Sequence, residues 1–203
     1  ITFLLVDMRQ KGVEVRPIKM MSGDSEFNEV FFTDARCPKE NVVGEINGGW
    51  MVAMTLLGNE RGAGAVVSGI SFRGELDKLN NLAREKGVTT NPHIRQRLAQ
   101  AHIKVEIMRF LGYRTLTAFM NGSQPGPEAS IGKLWWSEYH KEVTELAVDI
   151  LGADALVPFG QTPHTAFTTD APGSPNDSAN WAGVFMNARA GTIYAGTSQV
   201  QRG

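Results

Sequence analysis

The spacing of apolar residues changes at Gly48, and that change constrains the fold more than any bulk property of the chain. Before it, short apolar runs and polar residues alternate with a period of two; after it, apolar residues recur every three or four positions. Residues 1–46 therefore read as β. Ile1 to Val6 is an apolar run, Lys11-Gly12 is a turn, and Val13 and Val15 alternate with polar neighbours. Pro17 before Ile18 suits an edge strand, because proline has no N–H to give to a ladder. Glu29-Val30-Phe31-Phe32 is a further strand, closed by Thr33-Asp34 and then Pro38. Two or three strands with no covering layer make a poor core of their own. The expected class is α+β: residues 1–46 are the end of a β-domain entered partway through, and residues 47–203 are an all-α antiparallel helical bundle.

Within the bundle the punctuation is clear. A first helix runs from Trp50 to Phe72 and on toward Lys86, with Gly87 as its stop. The second has Asn91 as cap, Pro92 at its first position and Asn121-Gly122 at its far end. Ile94, Leu98, Ala101, Val105 and Met108 step by three and four along it and form a core stripe. Ile103, Ile107 and Phe110 form a second stripe, and a helix apolar on two faces packs inside a bundle or between subunits. A third helix spans Pro127-Glu128 to Gly152 with Ile131, Trp135, Val143, Leu146 and Ile150 inward, and a short fourth spans Trp181 to Arg189. Pro158 to Asn180 has the composition of a long loop, either functional or poorly ordered.

Several classes of function are excluded. Twenty Lys+Arg against 21 Asp+Glu leave a net charge of -1, with no basic run to bind nucleic acid. No apolar run approaches the roughly 18 residues of a membrane span. The opening Ile1-Thr2-Phe3-Leu4-Leu5-Val6-Asp7 has no basic leader or cleavage site. Cys37 is the single cysteine, which excludes an intrachain disulfide and points to a reducing, cytoplasmic compartment. The four histidines lack metal-ligand spacing, so no metal is expected. Cys37 has no histidine partner in view, which argues against a catalytic thiol.

Glu60 is the most informative residue. Leu56, Glu60, Ala63 and Val67 share one stripe of the first helix, so a carboxylate interrupts an apolar face among Gly58, Gly62, Gly64 and Ala65. A carboxyl group in apolar surroundings has a raised pKa, which suits it to take a proton near neutral pH. The plainer reading pairs Glu60 with Arg61 or Arg73 and uses the glycines for a close helix crossing. Spacing alone leaves both open. Ala190-Gly191-Thr192-Ile193-Tyr194-Ala195-Gly196-Thr197-Ser198-Gln199-Val200-Gln201-Arg202 is the second informative stretch. Gly196 breaks one helix and Thr197-Ser198 can cap the next, leaving backbone N–H groups for an anion or a carbonyl oxygen. Trp135, Trp136 and Tyr139 read as core rather than as a stacking platform, since Trp135 falls on the apolar stripe.

These blocks carry a family likeness. Glu29-Val30-Phe31-Phe32-Thr33-Asp34-Ala35-Arg36-Cys37-Pro38, then Asn41-Val42-Val43-Gly44-Glu45 and Gly48-Gly49-Trp50, resembles the junction of β-domain and helical domain in acyl-CoA dehydrogenases. Ala190 to Arg202 resembles that family's carboxyl-terminal signature, and order and separation fit over essentially the whole chain. The resemblance implies FAD-dependent removal of an α-proton and a β-hydride from an acyl-CoA thioester, giving a trans-2-enoyl-CoA. The family's usual base is a Glu directly after the signature Tyr; here that position is Ala195, which cannot accept a proton. Isovaleryl-type and certain sterol side-chain members place the Glu on the first carboxyl-terminal helix, just before an Arg, and Glu60-Arg61 is similar to that arrangement. The resemblance thus implies Glu60 as catalytic base, and Arg61, Tyr194, Ala195 and Gly196 at the substrate, with the Ala195 N–H polarising the thioester carbonyl. It implies Thr197, Ser198 and Gln199 near FAD, with Asp149 and Gly152 on the adenine side.

Two motifs depart from the pattern. An Arg-x-x-Phe-Gly motif reads Ala83-Arg84-Glu85-Lys86-Gly87-Val88, without the Phe, and a Gln-x-x-Gly-Gly motif reads Asp149-Ile150-Leu151-Gly152-Ala153. They motivate an alternative: a non-catalytic, family-like subunit that supports a flavin-bearing partner in a hetero-oligomer. The expected partners are an acyl-CoA, an electron acceptor such as an electron-transfer flavoprotein, and further subunits, identical or not. As a fragment the chain is not expected to turn over alone. The small residues around Glu60 suit branched or polycyclic acyl groups.

Overall fold

The computed structural model describes residues 1–22, 25, 27–123, 126, 129–156 and 178–202, except for the side chains of 59–66, 129 and 178–180. These fall into two compact units, Ile1–Arg61 and Gly62–Gly203. The first holds four strands: β1 (Phe3–Leu4), β2 (Val13–Ile18), β3 (Phe27–Phe32) and β4 (Val42–Val43). β2 and β3 form an antiparallel ladder in which Val15 faces Val30, and β1 pairs with β4 through Phe3 and Val43. Asn41 stitches this second ladder, its Nδ2 donating to the Leu5 carbonyl at 3.0 Å. The strands expected from alternation are present. The side chains of β2 and β3 are exposed on both faces, apart from Val13, so that ladder rests on backbone hydrogen bonds.

Helix α1 (Gly49–Glu85) begins in the first unit and continues into the second as one 37-residue element, the longer of the two expected extents. It stops where glycine allows. Gly87 has φ +68°, and the Val88 N–H reaches back to the Ala83 carbonyl at 3.1 Å, a closure that a left-handed residue at this position permits. Helix α2 (Pro92–Met120) starts as its sequence requires, with the Asn91 side chain accepting from the His93 and Ile94 N–H groups. Helices α3 (Ala129–Leu151), α4 (Ser178–Ala188) and α5 (Ser198–Arg202) complete the second unit. α4 begins three residues before the expected Trp181, so 178–180 are helical rather than loop; the rest of the expected 158–180 loop, and the expected start of α3 at Pro127-Glu128, lie outside the described residues.

The core of the second unit joins Phe72, Leu76, Leu79 and Ala83 of α1 to Ala101, Val105 and Met108 of α2, and to Tyr139, Val143, Leu146 and Ile150 of α3. The stripe expected on α2 is the one that packs. The second stripe of that helix is covered only in part: Ile107 is half-buried, while Ile103 and Phe110 are exposed. Ile131 is also exposed, against expectation, because the first turn of α3 precedes the packed stretch that begins near Trp135. Trp135 packs as expected, and its indole N–H donates to the Lys104 carbonyl at 3.0 Å. Each fully buried leucine contributes roughly 1.5–3 kcal/mol relative to exposure. The surface ion pairs Arg97–Asp149 and Lys104–Glu142 between α2 and α3 add little beside that.

One polar pair sits inside this core. His140 Nδ1 and Glu75 Oε1 are 3.1 Å apart, both residues are buried, and Glu75 Oε2 has no hydrogen-bond partner among the described residues. Glu75 interrupts the apolar stripe of α1 between Phe72 and Leu79, as Glu60 interrupts its own stripe further up the helix. Tyr139 lies alongside, edge-on to the Phe72 ring at 5.3 Å, and its hydroxyl donates to the Phe72 carbonyl at 3.4 Å. Burial, reinforced by the Glu75 carboxylate, pushes the Tyr139 phenol far above its ordinary value.

Candidate active site

The carboxyl-terminal signature folds into a tight bend between two short elements. A 3₁₀ turn at Ala190–Thr192 closes with the Ile193 and Tyr194 N–H groups both donating to the Ala190 carbonyl, at 2.9 and 3.1 Å. The chain then passes through the left-handed region twice, at Ala195 (φ +53°) and Gly196 (φ +94°). Left-handed backbone is ordinary for glycine and unfavourable for alanine, by roughly 1–2 kcal/mol. Gly196 is needed for space as well: a Cβ there would lie 2.1 Å from Gln201 Nε2. Thr197 caps α5, its Oγ1 accepting from the Val200 N–H at 3.2 Å.

Helix α3 grips this bend along about one and a half turns. Lys133 Nζ donates to the Gly191 carbonyl at 2.8 Å and lies 5.9 Å from the centre of the Tyr194 ring. The Trp136 ring packs beside Gly191, where a Cβ would meet it in ordinary contact at 3.5 Å, and its centroid is 6.3 Å from that of Tyr194. Glu138 Oε1 accepts from the Ser198 hydroxyl at 2.7 Å and from Arg202 Nη2 at 3.4 Å. Burial lowers the Lys133 pKa from its ordinary value, and the Glu138 carboxylate acts in the opposite sense.

The expected site residues therefore separate into groups. Tyr194, Ala195, Gly196, Thr197, Ser198 and Gln199 come together in the bend. Ala195 is exposed, and among the described residues no group accepts from its N–H. Gln199 is exposed too, whereas Ser198 is 4% exposed with its hydroxyl turned to Glu138. Asp149 lies near the far end of α3, about 16 Å from Glu138 along the helix, and Gly152 follows the end of α3. There Asp149 is ion-paired with Arg97, and Gly152 has φ +60°. Glu60 and Arg61 fall on α1, but their side chains lie outside the described residues. The described flanks of the Glu60 stripe, Leu56 and Val67, are exposed in this chain. Arg73, an alternative partner for Glu60, pairs with Asp77 and Glu106. The close crossing of α1 on α2 falls at Gly69, where a Cβ would lie 3.1 Å from Arg109 Cα.

The group types of the bend suit a flavin and a thioester: hydroxyl, carboxamide and backbone N–H groups lie within six consecutive residues, Tyr194 to Gln199. Sequence reasoning missed Lys133, Glu138 and the Glu75–His140 pair. For Glu75 a signal existed, since a charge on an apolar stripe was the very pattern that singled out Glu60. Lys133 and Glu138 flank Trp135-Trp136 on α3 and carried no such mark, because their partners are distant in sequence.

Among the described residues, no helix is long and apolar enough to cross a membrane. A sequence profile described as "Acyl-CoA dehydrogenase, C-terminal domain" matches residues 47–203. The chain is 36% identical over 202 residues to the acyl-CoA dehydrogenase IpdE1 of Mycolicibacterium smegmatis, covering 100% of this chain and 46% of that protein. It is 30% identical over 200 residues to the acyl-CoA dehydrogenase FadE34 of Mycobacterium tuberculosis, covering 98% of this chain and 25% of the relative. Among solved structures, "Tcur3481-Tcur3483 steroid ACAD" superposes with a TM-score of 0.80 at 26% identity, over 99% of this chain and 49% of that one. The chain spans about half the length of IpdE1 and a quarter of FadE34.

Proposed function

Because this chain belongs to the acyl-CoA dehydrogenase family, a family of flavoprotein oxidoreductases, we propose that it is the carboxyl-terminal half of an FAD-dependent enzyme that converts an acyl-CoA thioester to a trans-2-enoyl-CoA. The observation that carries this reading is the bend at Tyr194–Gly196. It holds the signature backbone, with an Ala195 N–H that no described residue accepts from, yet offers no carboxylate where the family's usual base stands. Glu60, followed by Arg61, supplies the acid at the position used by the first-helix subtype. In this reading the Ala195 N–H donates to the thioester carbonyl and makes the α-proton more acidic. Glu60 takes that proton, with Arg61, Tyr194 and Gly196 at the substrate. Bound FAD would supply the acceptor for the β-hydride, held by Thr197, Ser198 and Gln199, with Asp149 and Gly152 toward its adenine.

A base that must work near neutral pH needs cover from water. The exposed Leu56 and Val67 mark a face that the complete protein, about twice as long in IpdE1, has surface to close. The acyl group is polycyclic, a choice supported by the small residues around Glu60 and by the steroid named for the solved relative. Electrons leave to an acceptor such as an electron-transfer flavoprotein, in the cytoplasm.

Glu60→Gln in the complete protein is expected to lower turnover on the order of 10²–10⁴-fold while flavin absorbance persists. Unchanged turnover in that variant would refute the assignment of Glu60. Titration of the wild type with steroid-type and straight-chain acyl-CoAs, read as bleaching of the flavin band, tests the class of substrate.

A second reading has its own support. Solved relatives include two-chain assemblies, Tcur3481-Tcur3483 and the ChsE4-ChsE5 complex of Mycobacterium tuberculosis, and two FAD motifs of this chain are altered. On that reading the protein is a non-catalytic subunit beside a flavin-bearing partner. Stoichiometric flavin in the purified protein alone counts against it.

A further inference from the structure

We propose that Glu138 is the positioning residue of the bend: through Ser198 and Arg202 it fixes the direction of the Ala195 N–H, and with it the alignment of the thioester carbonyl. This deepens the reading given above and rests on Ala195 being the carbonyl donor.

The need for such a residue follows from the backbone. A left-handed alanine persists only where its flanks determine it. The amino flank is determined several times over, by the two hydrogen bonds to the Ala190 carbonyl, by Lys133 on the Gly191 carbonyl and by the Trp136 ring. The carboxyl flank is the first turn of α5, which opens at Ser198. Beyond its own Thr197 cap, the anchor among the described residues is Glu138. One oxygen, Oε1, receives the Ser198 hydroxyl at 2.7 Å and Arg202 Nη2 at 3.4 Å. Ser198 and Arg202 lie one turn apart on α5, so one carboxylate ties that turn to α3.

The inward hydroxyl of Ser198 serves the same end. With the residue 4% exposed and its Oγ spent on Glu138, that hydroxyl acts on α3, and the backbone of Ser198 is what remains to face the cofactor. Ser198 is three residues from Ala195, so a shift of α5 turns the peptide planes between them. The donor strength of an oxyanion-type N–H depends steeply on where it points. Glu138 touches no reacting atom in this scheme.

The test uses the complete flavin-loaded protein and its Glu138→Ala variant, with Glu142→Ala as a control on the exposed face of the same helix. The probe is cinnamoyl-CoA, a conjugated enoyl thioester whose absorption moves to longer wavelength when its carbonyl is polarised. Glu138→Ala is expected to lose most of that red shift and to lower kcat about tenfold, with KM changed less than about threefold. Glu142→Ala is expected to keep both. A folded Glu138→Ala protein with lower thermal stability but the full red shift overturns the proposal, since Glu138 is then only structural. If that variant does not fold, Ser198→Ala takes its place, with partial loss of the red shift expected and a full red shift overturning the proposal. If the wild type itself neither polarises the probe nor bleaches with any acyl-CoA, the functional reading fails and takes this proposal with it.

Discussion

The two units of the chain are held together by different means. In the second, side chains from α1, α2, α3 and α4 withdraw from water into one core, with Phe72, Leu79, Tyr139 and Leu146 almost wholly buried. In the first, β2 and β3 expose nearly every residue, and Phe27, Phe31 and Phe32 stand open to solvent. The same contrast recurs within a single helix. Along α2, Ala101, Val105 and Met108 are buried, while Ile103 and Phe110 a few positions away are exposed. Apolar character is shared by all of these positions. Stability should follow burial, and therefore should concentrate in the second unit.

The sharpest way to break that contrast is to truncate a central side chain. Phe72 is 1% exposed and touches Tyr139, Trp136 and His140. Phe72→Ala is expected to destabilise the protein by about 3–5 kcal/mol, combining lost transfer energy with the cavity left behind. Denaturant unfolding, comparing midpoints at unchanged slope, measures it. A loss below about 1 kcal/mol would mean that the core adapts freely and that burial is a poor guide here.

A smaller effect comes from pH. Tyr139 has its phenol pushed upward by burial first and by Glu75 second, from an ordinary value of 10.0. Above about pH 10 the unfolded chain releases a proton that the folded chain keeps, so the unfolded state binds fewer protons and stability falls as pH rises. This contribution is present in full below the ordinary value and is lost progressively through the raised one. The slope is about 1.4 kcal/mol per pH unit. Tyr139→Phe, which keeps the ring and removes the ionisable group, is expected to flatten that part of the alkaline limb. An unchanged slope would show that water reaches the phenol.

How far this was legible beforehand differs by level. The helices could be read because their signals are local: Asn91-Pro92 caps one end of α2, Gly87 ends α1, and the Ile94-to-Met108 stripe repeats at helical spacing. Which of two apolar stripes would be covered could not be read, because covering belongs to contacts between elements. The bend was legible as a helix break at Gly196 and a cap at Thr197. The left-handed Ala195 was not, since alanine has no preference for that conformation, and neither was Glu138, which acts across 60 positions of sequence on Ser198. The Glu75–His140 pair was hidden for the same reason, at a separation of 65 positions. Glu60 stood out by the stripe criterion that also marks Glu75, and Glu75 became a buried partner of a histidine. A charge on an apolar stripe thus identifies a burial problem, and the partner that answers it decides between structure and chemistry.

The smallest effect belongs to the first unit. Phe31 is 40% exposed on β3, directly across the ladder from Glu14, and the Arg16 guanidinium of β2 lies 4.4 Å from its ring centre. Arg16 is also held by Glu14 at 2.7 Å, so it keeps a partner if the ring is removed. Phe31→Ala therefore gives up one exposed cation–π contact and some half-covered ring surface, worth about 0.5–1 kcal/mol. It leaves no cavity, because little packs on that face in this chain. Urea midpoints of the complete protein should barely move, and amide exchange should quicken only along β2 and β3. If Phe31→Ala instead costs as much as Phe72→Ala, this strand face is covered in the complete protein, and the contrast between the two units belongs to the isolated half alone.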